Sequence, residues 1–469
     1  MPGVNSTRCE RVTLKKRIHG NGALGGTMNW KRLVGRALAG VVLVCPGPAF
    51  AAETESDWQE PGALVIHAGT VIAVPGSNVL TDQTIVVSEG RIATVRDGFL
   101  DPSAAAGGDG ASVEYLDLRD AVVLPGLMDM HVHLSMEFGV EGQRSYGVSD
   151  PYAVQHRTAK DDAYFMVNAI DNARKTLEAG FTTVRNVGAD GWHIFALRDG
   201  IRDGLLTGPR IITAGHTIRL GADEGPGACW SVESCRRATR VQIDMGADLI
   251  KVAATCSGSK PCGNQFAPAV ILEDEFRSIV EVAGSRKLKV AVHAHGTDGI
   301  NLAARLGAWS IEHGSFNNAE SHRIMRENGV YLVPTLAVQD NIRADIVGAD
   351  ADMVDLMRSF LDNHGPRIFA AHKAGVTIAA GTDAGVTKHG NNARELELYV
   401  EHGLTPEEAI VTATVNAAAV IGMQDDLGTV EPGRIADLIA VAGDPLTDIS
   451  VLMNVPVVIQ GGRVVKDAR

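Results

Sequence analysis

Positive charge is in short supply in this sequence. Its 43 Lys and Arg stand against 56 Asp and Glu, a formal net charge of −13, and no basic run is long enough to grip a phosphate backbone, which excludes nucleic acid as a partner. Long apolar runs are missing too: the one membrane-like stretch, Ala37 to Cys45, is far shorter than the roughly 20 residues a spanning helix needs. Cysteine is scarce, six in 469 residues, and its later pairs lack the two-residue spacing usual in zinc knuckles. No repeat of about 20 to 50 residues is visible, which excludes solenoids and arrays. What remains is 45% hydrophobic, 21% charged and 5% aromatic, with 52 Gly and 18 Pro. That is a folded globular protein of one large domain or two, not a disordered, collagen-like or coiled-coil chain.

The short apolar run follows Met28-Asn-Trp-Lys-Arg-Leu-Val-Gly-Arg and precedes Ala49-Phe50-Ala51. A basic region, a short apolar region and an Ala-x-Ala site read as a secretory signal peptide over 28–51, cleaved before Ala52; an uncleaved anchor is the competing reading. The whole leader is then 1–51, and residues 1–27 resemble no targeting segment and fit an upstream start codon. Cleavage removes eight basic residues and a single acid, Glu10, so the mature chain is more acidic still, exported to the periplasm or secreted, and without a membrane contact. Cys45 follows Val44, where a lipid-anchored cysteine would want a small residue. Cys229 with Cys235 and Cys256 with Cys262 then suggest two small-loop disulfides, one of three possible connectivities, with a thiolate metal site as the alternative.

Ala63 to Val74 and Gln83 to Val95 are β-branched, alternating segments broken by Gly and Pro. A different rhythm follows, in which short apolar runs end in polar residues or Gly and give way to helical periodicity, the βα pattern of a parallel barrel. The runs are Leu124–Leu134, Thr182–Val187, Arg210–Gly215, Leu249–Ala254, Lys289–His295, Ser310–His313, Tyr331–Thr335 and Thr377–Gly381, and a (β/α)8 TIM barrel needs eight strands. Alternation returns in Ile435 to Val441 and Val457 to Val465. The expected α/β architecture is therefore a barrel over 125–426 and a small β-sandwich domain built from both ends of the chain, 62–124 and 427–469.

Polar residues gather at the ends of these runs. His131 and His133 end the first, Lys251 lies in the fourth, His293 and His295 end the fifth, His313 ends the sixth and Asp383 follows the eighth, all toward the face where barrel enzymes keep their active sites. Residues i and i+2 of a strand point the same way, so the imidazoles of His131 and His133 converge, an arrangement that suits a divalent cation such as zinc. Lys251 sits among apolar neighbours in Leu249-Ile-Lys-Val-Ala-Ala. Desolvation there favours the neutral amine, which can react with carbon dioxide to give a carbamate whose two oxygens can bridge two cations. A salt-bridged core lysine is the competing reading. Loops after strands one, two, three and seven set the pocket, and Tyr152, Arg185, His216 and Arg219 are candidates to bind a substrate carboxylate; Arg185 also reads as a purely structural residue.

The motifs Pro125-Gly-Leu-Met-Asp-Met-His-Val-His, Thr182-Thr-Val-Arg-Asn-Val-Gly, Ile250-Lys-Val, Val292-His-Ala-His-Gly, Ile311-Glu-His-Gly and Ala380-Gly-Thr-Asp resemble the amidohydrolase superfamily, over about residues 62 to 469. The resemblance implies that His131, His133, carboxylated Lys251, His293, His313 and Asp383 bind two zinc ions bridged by the carbamate and a hydroxide, with His293 rather than His295 as the ligand of its strand. More narrowly, the chain is similar to the imidazolonepropionase-like branch with its metal-dependent carboxypeptidases, Xaa-Pro dipeptidase-like enzymes and ochratoxin-hydrolysing amidases. A lysine at the fourth strand separates this group from mononuclear deaminases.

The resemblance implies hydrolysis of the amide bond of an N-acyl amino acid or dipeptide, releasing a hydrophobic or aromatic C-terminal amino acid. Asp383 would act as general base and then general acid, and His295 either helps hold the oxyanion or is a structural neighbour. A lactam or lactone hydrolase on the same centre and a non-catalytic metal-binding barrel are the alternatives. Barrels of this family commonly assemble, so a homo-oligomer is expected.

Overall fold

The computed structural model describes residues 62–469 apart from 109–111, 137–158, 190, 221–224, 256–268 and 346–350. The leader, Tyr152 and the Cys256–Cys262 pair lie outside the described residues.

Four strands open the described chain: β1 (Ala63–Val74), β2 (Asn78–Ser88), β3 (Arg91–Asp97) and β4 (Val113–Pro125). Nine follow in the central part, β5 (Leu127–Val132), β6 (Phe181–Asn186), β7 (Arg210–Thr213), β8 (Arg219–Leu220), β9 (Ala228–Cys229), β10 (Ile250–Ala253), β11 (Val290–Ala294), β12 (Ser310–His313) and β13 (Tyr331–Val333). Three close the chain, β14 (Leu438–Val441), β15 (Val457–Gln460) and β16 (Arg463–Asp467).

Both ends of the chain share one seven-stranded sheet, in the order β16-β15-β14-β4-β1-β2-β3. Alternation along the strands gives it two apolar faces. Leu64, Ile66 and Ala68 pack with Ile85, Val87, Leu116, Leu118, Leu438 and Ile459 on one, while Ile72, Leu124, Ile439 and Val458 enter the main core. The β1–β4 register shifts between Ala68 and Thr70. Gly69 lies at that irregularity because a Cβ there would stand 1.9 Å from the Arg119 carbonyl oxygen.

The central strands form two parallel sheets, β5-β6-β7 and β10-β11-β12-β13, and a two-stranded ribbon, β8-β9. Helices between them cover their outer side; Phe276, Ile279 and Ala283 of Glu273–Gly284, for example, pack in one cluster with Ile250, Val252 and Val290. The expected strand boundaries shift in two places. Leu124 and Pro125 belong to β4, not to the first barrel run. The Thr377–Gly381 run forms no ladder of its own: a parallel bridge joins Leu332 to Ile378, and another joins Val132 to Ala384. Backbone bonds from Ala379 to Leu332 and from Met130 to Ala380 hold it between its neighbours, and the left-handed φ of 58° at Asp383 turns the chain just beyond it.

Gly69→Ala is expected to lower stability by about 1–3 kcal/mol through overpacking against a backbone that cannot move aside, measurable as a lower midpoint in denaturant unfolding with an unchanged slope.

Candidate active site

Alternation selects which strand residues meet inside. In β10 and β11, Val252, Val290, Val292 and Ala294 join the outer apolar cluster, so Lys251 and His293 fall on the opposite face. In β12, Ser310 and Glu312 share a face while Ile311 joins the outer cluster. His313 would follow Ile311 outward in a regular strand, but its φ of 69° breaks the alternation. Three of the six non-glycine residues with left-handed backbone among the described residues lie here, His313, Thr335 and Asp383. Such backbone costs on the order of 1–3 kcal/mol per residue and persists where the surroundings enforce it.

The result is a compact set of ligand-type atoms. His293, His295 and His313 form one group and His131, His313 and Asp383 a second, each with donor atoms within 4.8 Å of one another. The rings of His131 and His133 lie 5.4 Å apart, and those of His293 and His313 4.6 Å apart. Asp383 Oδ1 is 3.3 Å from His133 Nε2 and 3.6 Å from His131 Nε2. Lys251 is 3% exposed beside them.

Four of the five imidazoles are oriented through Nδ1: His131 by Glu312 Oε2, His133 by the Gly188 carbonyl, His295 by Ser315 Oγ and His313 by Thr335 Oγ1, all at 2.8 Å. Fixing one ring nitrogen assigns the other to the site interior. Burial holds His131 and His295 near a pKa of about 4 and drives His293 and His313 well below the ordinary value, so these rings are neutral at pH 7. Burial likewise lowers Lys251 to about 8, against the pull of Glu312 and Asp383. Burial opposes ionisation of Asp383, but His131 and His133 hold it well below the usual carboxylate range.

These residues fit a divalent metal centre. His293 Nε2 and Asp383 Oδ1 are buried without a hydrogen-bond partner, a costly state that a cation would relieve, and neutral imidazole with carboxylate is the donor set borderline divalent ions favour.

Not every expected residue is where the sequence reading put it. Arg185 is a correction. It is 2% exposed, and its three guanidinium nitrogens go to the Met130 carbonyl at 2.6 Å, Ser310 Oγ at 3.0 Å and Glu312 Oε1 at 2.8 Å. It is consumed inside the protein and holds the site together instead of meeting a substrate carboxylate. His216 lies half-buried with its ring 4.5 Å from that of Trp192, and Arg219 is exposed in β8. Cys229 and Cys235 are disulfide-bonded, tying β9 to the helix Val232–Asp244.

Two buried carboxylates were missed. Glu312 accepts from His131, Arg185 and Ser310. Burial works against its charge, yet Arg185, His131 and Lys251 hold its pKa far below normal. Asp129 accepts from the His131 amide and from both the amide and hydroxyl of Thr382, as well as Asn392 Nδ2, so it sets the strand ends carrying His131 and Asp383; burial raises its pKa to about 6 despite those bonds. Both stand within the quoted motifs, and a charge inside an apolar strand is itself a signal, because it needs partners.

Glu312→Gln should cost about 3–5 kcal/mol of stability by leaving the buried Arg185 guanidinium without its charge partner, seen in denaturant unfolding. A second expectation follows from the buried imidazoles. His131, His295 and His389 protonate near 4 in the fold and His364 near 3, against 6.5 ordinarily. The unfolded chain therefore binds these protons first as acid is added. These imidazoles should make the chelator-treated protein less stable as pH falls from 6.5 to 4, partly offset by Asp129, whose raised pKa acts the other way, as urea midpoints would record.

The amidohydrolase family model matches residues 122–465. Ochratoxinase of Aspergillus niger is 30% identical over 455 residues, covering 87% of each chain, and imidazolonepropionase of Symbiobacterium thermophilum is 24% identical, covering 86% of this chain and 97% of that one. Among solved structures, a Xaa-Pro dipeptidase with methionine bound in its active site superposes with a TM-score of 0.76 at 34% identity, covering 86% of this chain and all of that one. Such neighbours carry a TIM barrel with a β-sandwich domain, and the family generally uses a divalent metal centre. The chain belongs to the amidohydrolase family and is a hydrolase of amide or peptide bonds.

Proposed function

We propose that the protein is a binuclear zinc amidohydrolase that hydrolyses N-acyl amino acids or dipeptides and releases a hydrophobic or aromatic C-terminal amino acid. The observation that carries this is the convergence of five histidines and Asp383 around the buried Lys251. Likeness to an ochratoxinase and a Xaa-Pro dipeptidase supports the substrate class. The two parallel sheets are read as arcs of one closed barrel over 125–426, with the bridges at Ile378 and Ala384 supporting closure. The sheet at both chain ends is read as the β-sandwich domain.

His131, His133, His293, His313 and Asp383 would hold the two ions, with Lys251 carboxylated between them. Its neutral amine attacks carbon dioxide, the new N–C bond forms, and the departing proton leaves a carbamate anion. When bound, the metals supply an acidified water and Lewis-acid polarisation of the carbonyl. Asp383 takes the proton from the attacking water and returns it to the departing amine nitrogen. His295, oriented by Ser315, donates toward the developing oxyanion. Export before Ala52 is part of the proposal, supported by the Cys229–Cys235 disulfide, since such bonds persist in oxidising compartments; N-terminal sequencing of secreted protein checks it.

Zinc-loaded protein should release free amino acid from N-aroyl phenylalanine or hydrophobic dipeptides, and chelation should abolish the release. Asp383→Asn is expected to lose on the order of 100-fold or more in turnover while keeping much of its metal. Lys251→Ala retaining two zinc ions per chain and full hydrolysis would defeat the carbamate. Opening of lactams or lactones without amino-acid release would replace the substrate class.

A further inference from the structure

The helix Arg394–Glu401 carries no proposed ligand, yet its first turn holds a fully buried carboxylate, Glu395. That carboxylate lies beside the Tyr399 side chain of its own helix, and both its oxygens also reach outside it. It accepts from the Leu336 amide at 2.8 Å and the Ala337 amide at 2.7 Å, just past β13. The preceding residue is Thr335, fully buried with a φ of 57°. A β-branched residue is a genuine outlier in that region, where Gly or Asn would be at ease. Thr335 offers what Gly lacks, an Oγ1 placed 2.8 Å from His313 Nδ1.

We infer that Glu395 is a positioning residue for the metal centre: by clamping the two amides after Thr335, it keeps that residue left-handed and its hydroxyl on His313. The inference rests on the reading of His313 as a ligand. A residue in so unfavourable a backbone region stays there only when its surroundings over-determine it, and a carboxylate that fixes the next two amides does so. The Thr335 contact at Nδ1 then assigns Nε2 of His313 to the metal side. Asn392, three residues before Glu395, reaches Asp129 at 2.7 Å, and Asp129 holds the His131 amide. One helix start therefore braces both His131 and His313. The arrangement is costly, since burial pushes Glu395 up to about 8 and the neighbouring Tyr399 hydroxyl completes no hydrogen bond in good geometry. A helix terminus needing only a local cap has no use for it.

The test uses cobalt(II) in place of zinc. It compares the visible spectrum of the cobalt-loaded protein and its rate of metal loss to a chelator across the unsubstituted chain, Glu395→Gln, Thr335→Gly and the double variant. Glu395→Gln is expected to weaken metal retention about 10–100-fold and to alter the cobalt bands. Thr335→Gly should do the same, and the double variant no more than either, because glycine leaves the clamp nothing to hold. Effects that multiply in the double variant, or a Glu395→Gln protein with native bands and native retention, would overturn the inference. Glu395→Asp, which keeps the carboxyl group and shortens the reach, takes its place if Glu395→Gln does not fold. Failure of both to fold would assign Glu395 to stability alone, which also overturns it. Should the unsubstituted protein bind no cobalt, the metal-centre reading fails with it, whereas equal binding by all variants sinks only the role of Glu395.

Discussion

The Glu312 carboxylate, fully buried between Arg185 and His131, is the interaction on which the site depends. It stands on β12, in the four-stranded parallel sheet, while both partners stand on the three-stranded one, His131 on β5 and Arg185 on β6. The two sheets are thus tied by an ion pair removed from water. Desolvation of the charges is expensive, and the geometry offsets it only because nearly every lone pair and proton is used: Arg185 spends its other nitrogens on the Met130 carbonyl and Ser310, and Ser310 turns its own hydroxyl to Glu312. The same carboxylate fixes the His131 ring. Cohesion of the sheets and orientation of a candidate ligand are one interaction.

A second constraint is conformational. At the strand ends His313, Thr335 and Asp383 all adopt left-handed backbone, which breaks the in-and-out alternation and turns side chains toward one point. That strain is held by buried polar groups behind the site, among them Asp129, Asn392 and Glu395. Burial then acts on the converged groups in a consistent sense, keeping the imidazoles neutral and favouring the neutral amine of Lys251. The cost of orphaned atoms such as His293 Nε2 is what a bound cation would recover, so folding and ligand binding share the same electrostatics.

Periodicity and motif spacing in the sequence determined the βα alternation, the return of β-structure at the C-terminus and the concentration of histidines at strand ends, because strand alternation and apolar burial are local rules. The resemblance carried by the motifs pointed to the family. Local rules also misplaced what depends on distant partners. Arg185 looked like a substrate cation because its sequence neighbours say nothing of Glu312, 127 residues away. Leu124 and Pro125 looked like the start of the first barrel run because their pairing partner, β14, lies at the far end of the chain. Thr335 gave no signal at all, since a threonine at a strand end is ordinary until its φ is known. Pattern in the chain therefore decided which elements form and which residues reach the strand ends. Only the tertiary structure decided which charges are consumed in holding the strands together and which remain for chemistry, because a buried charge is defined by partners that long-range folding brings to it.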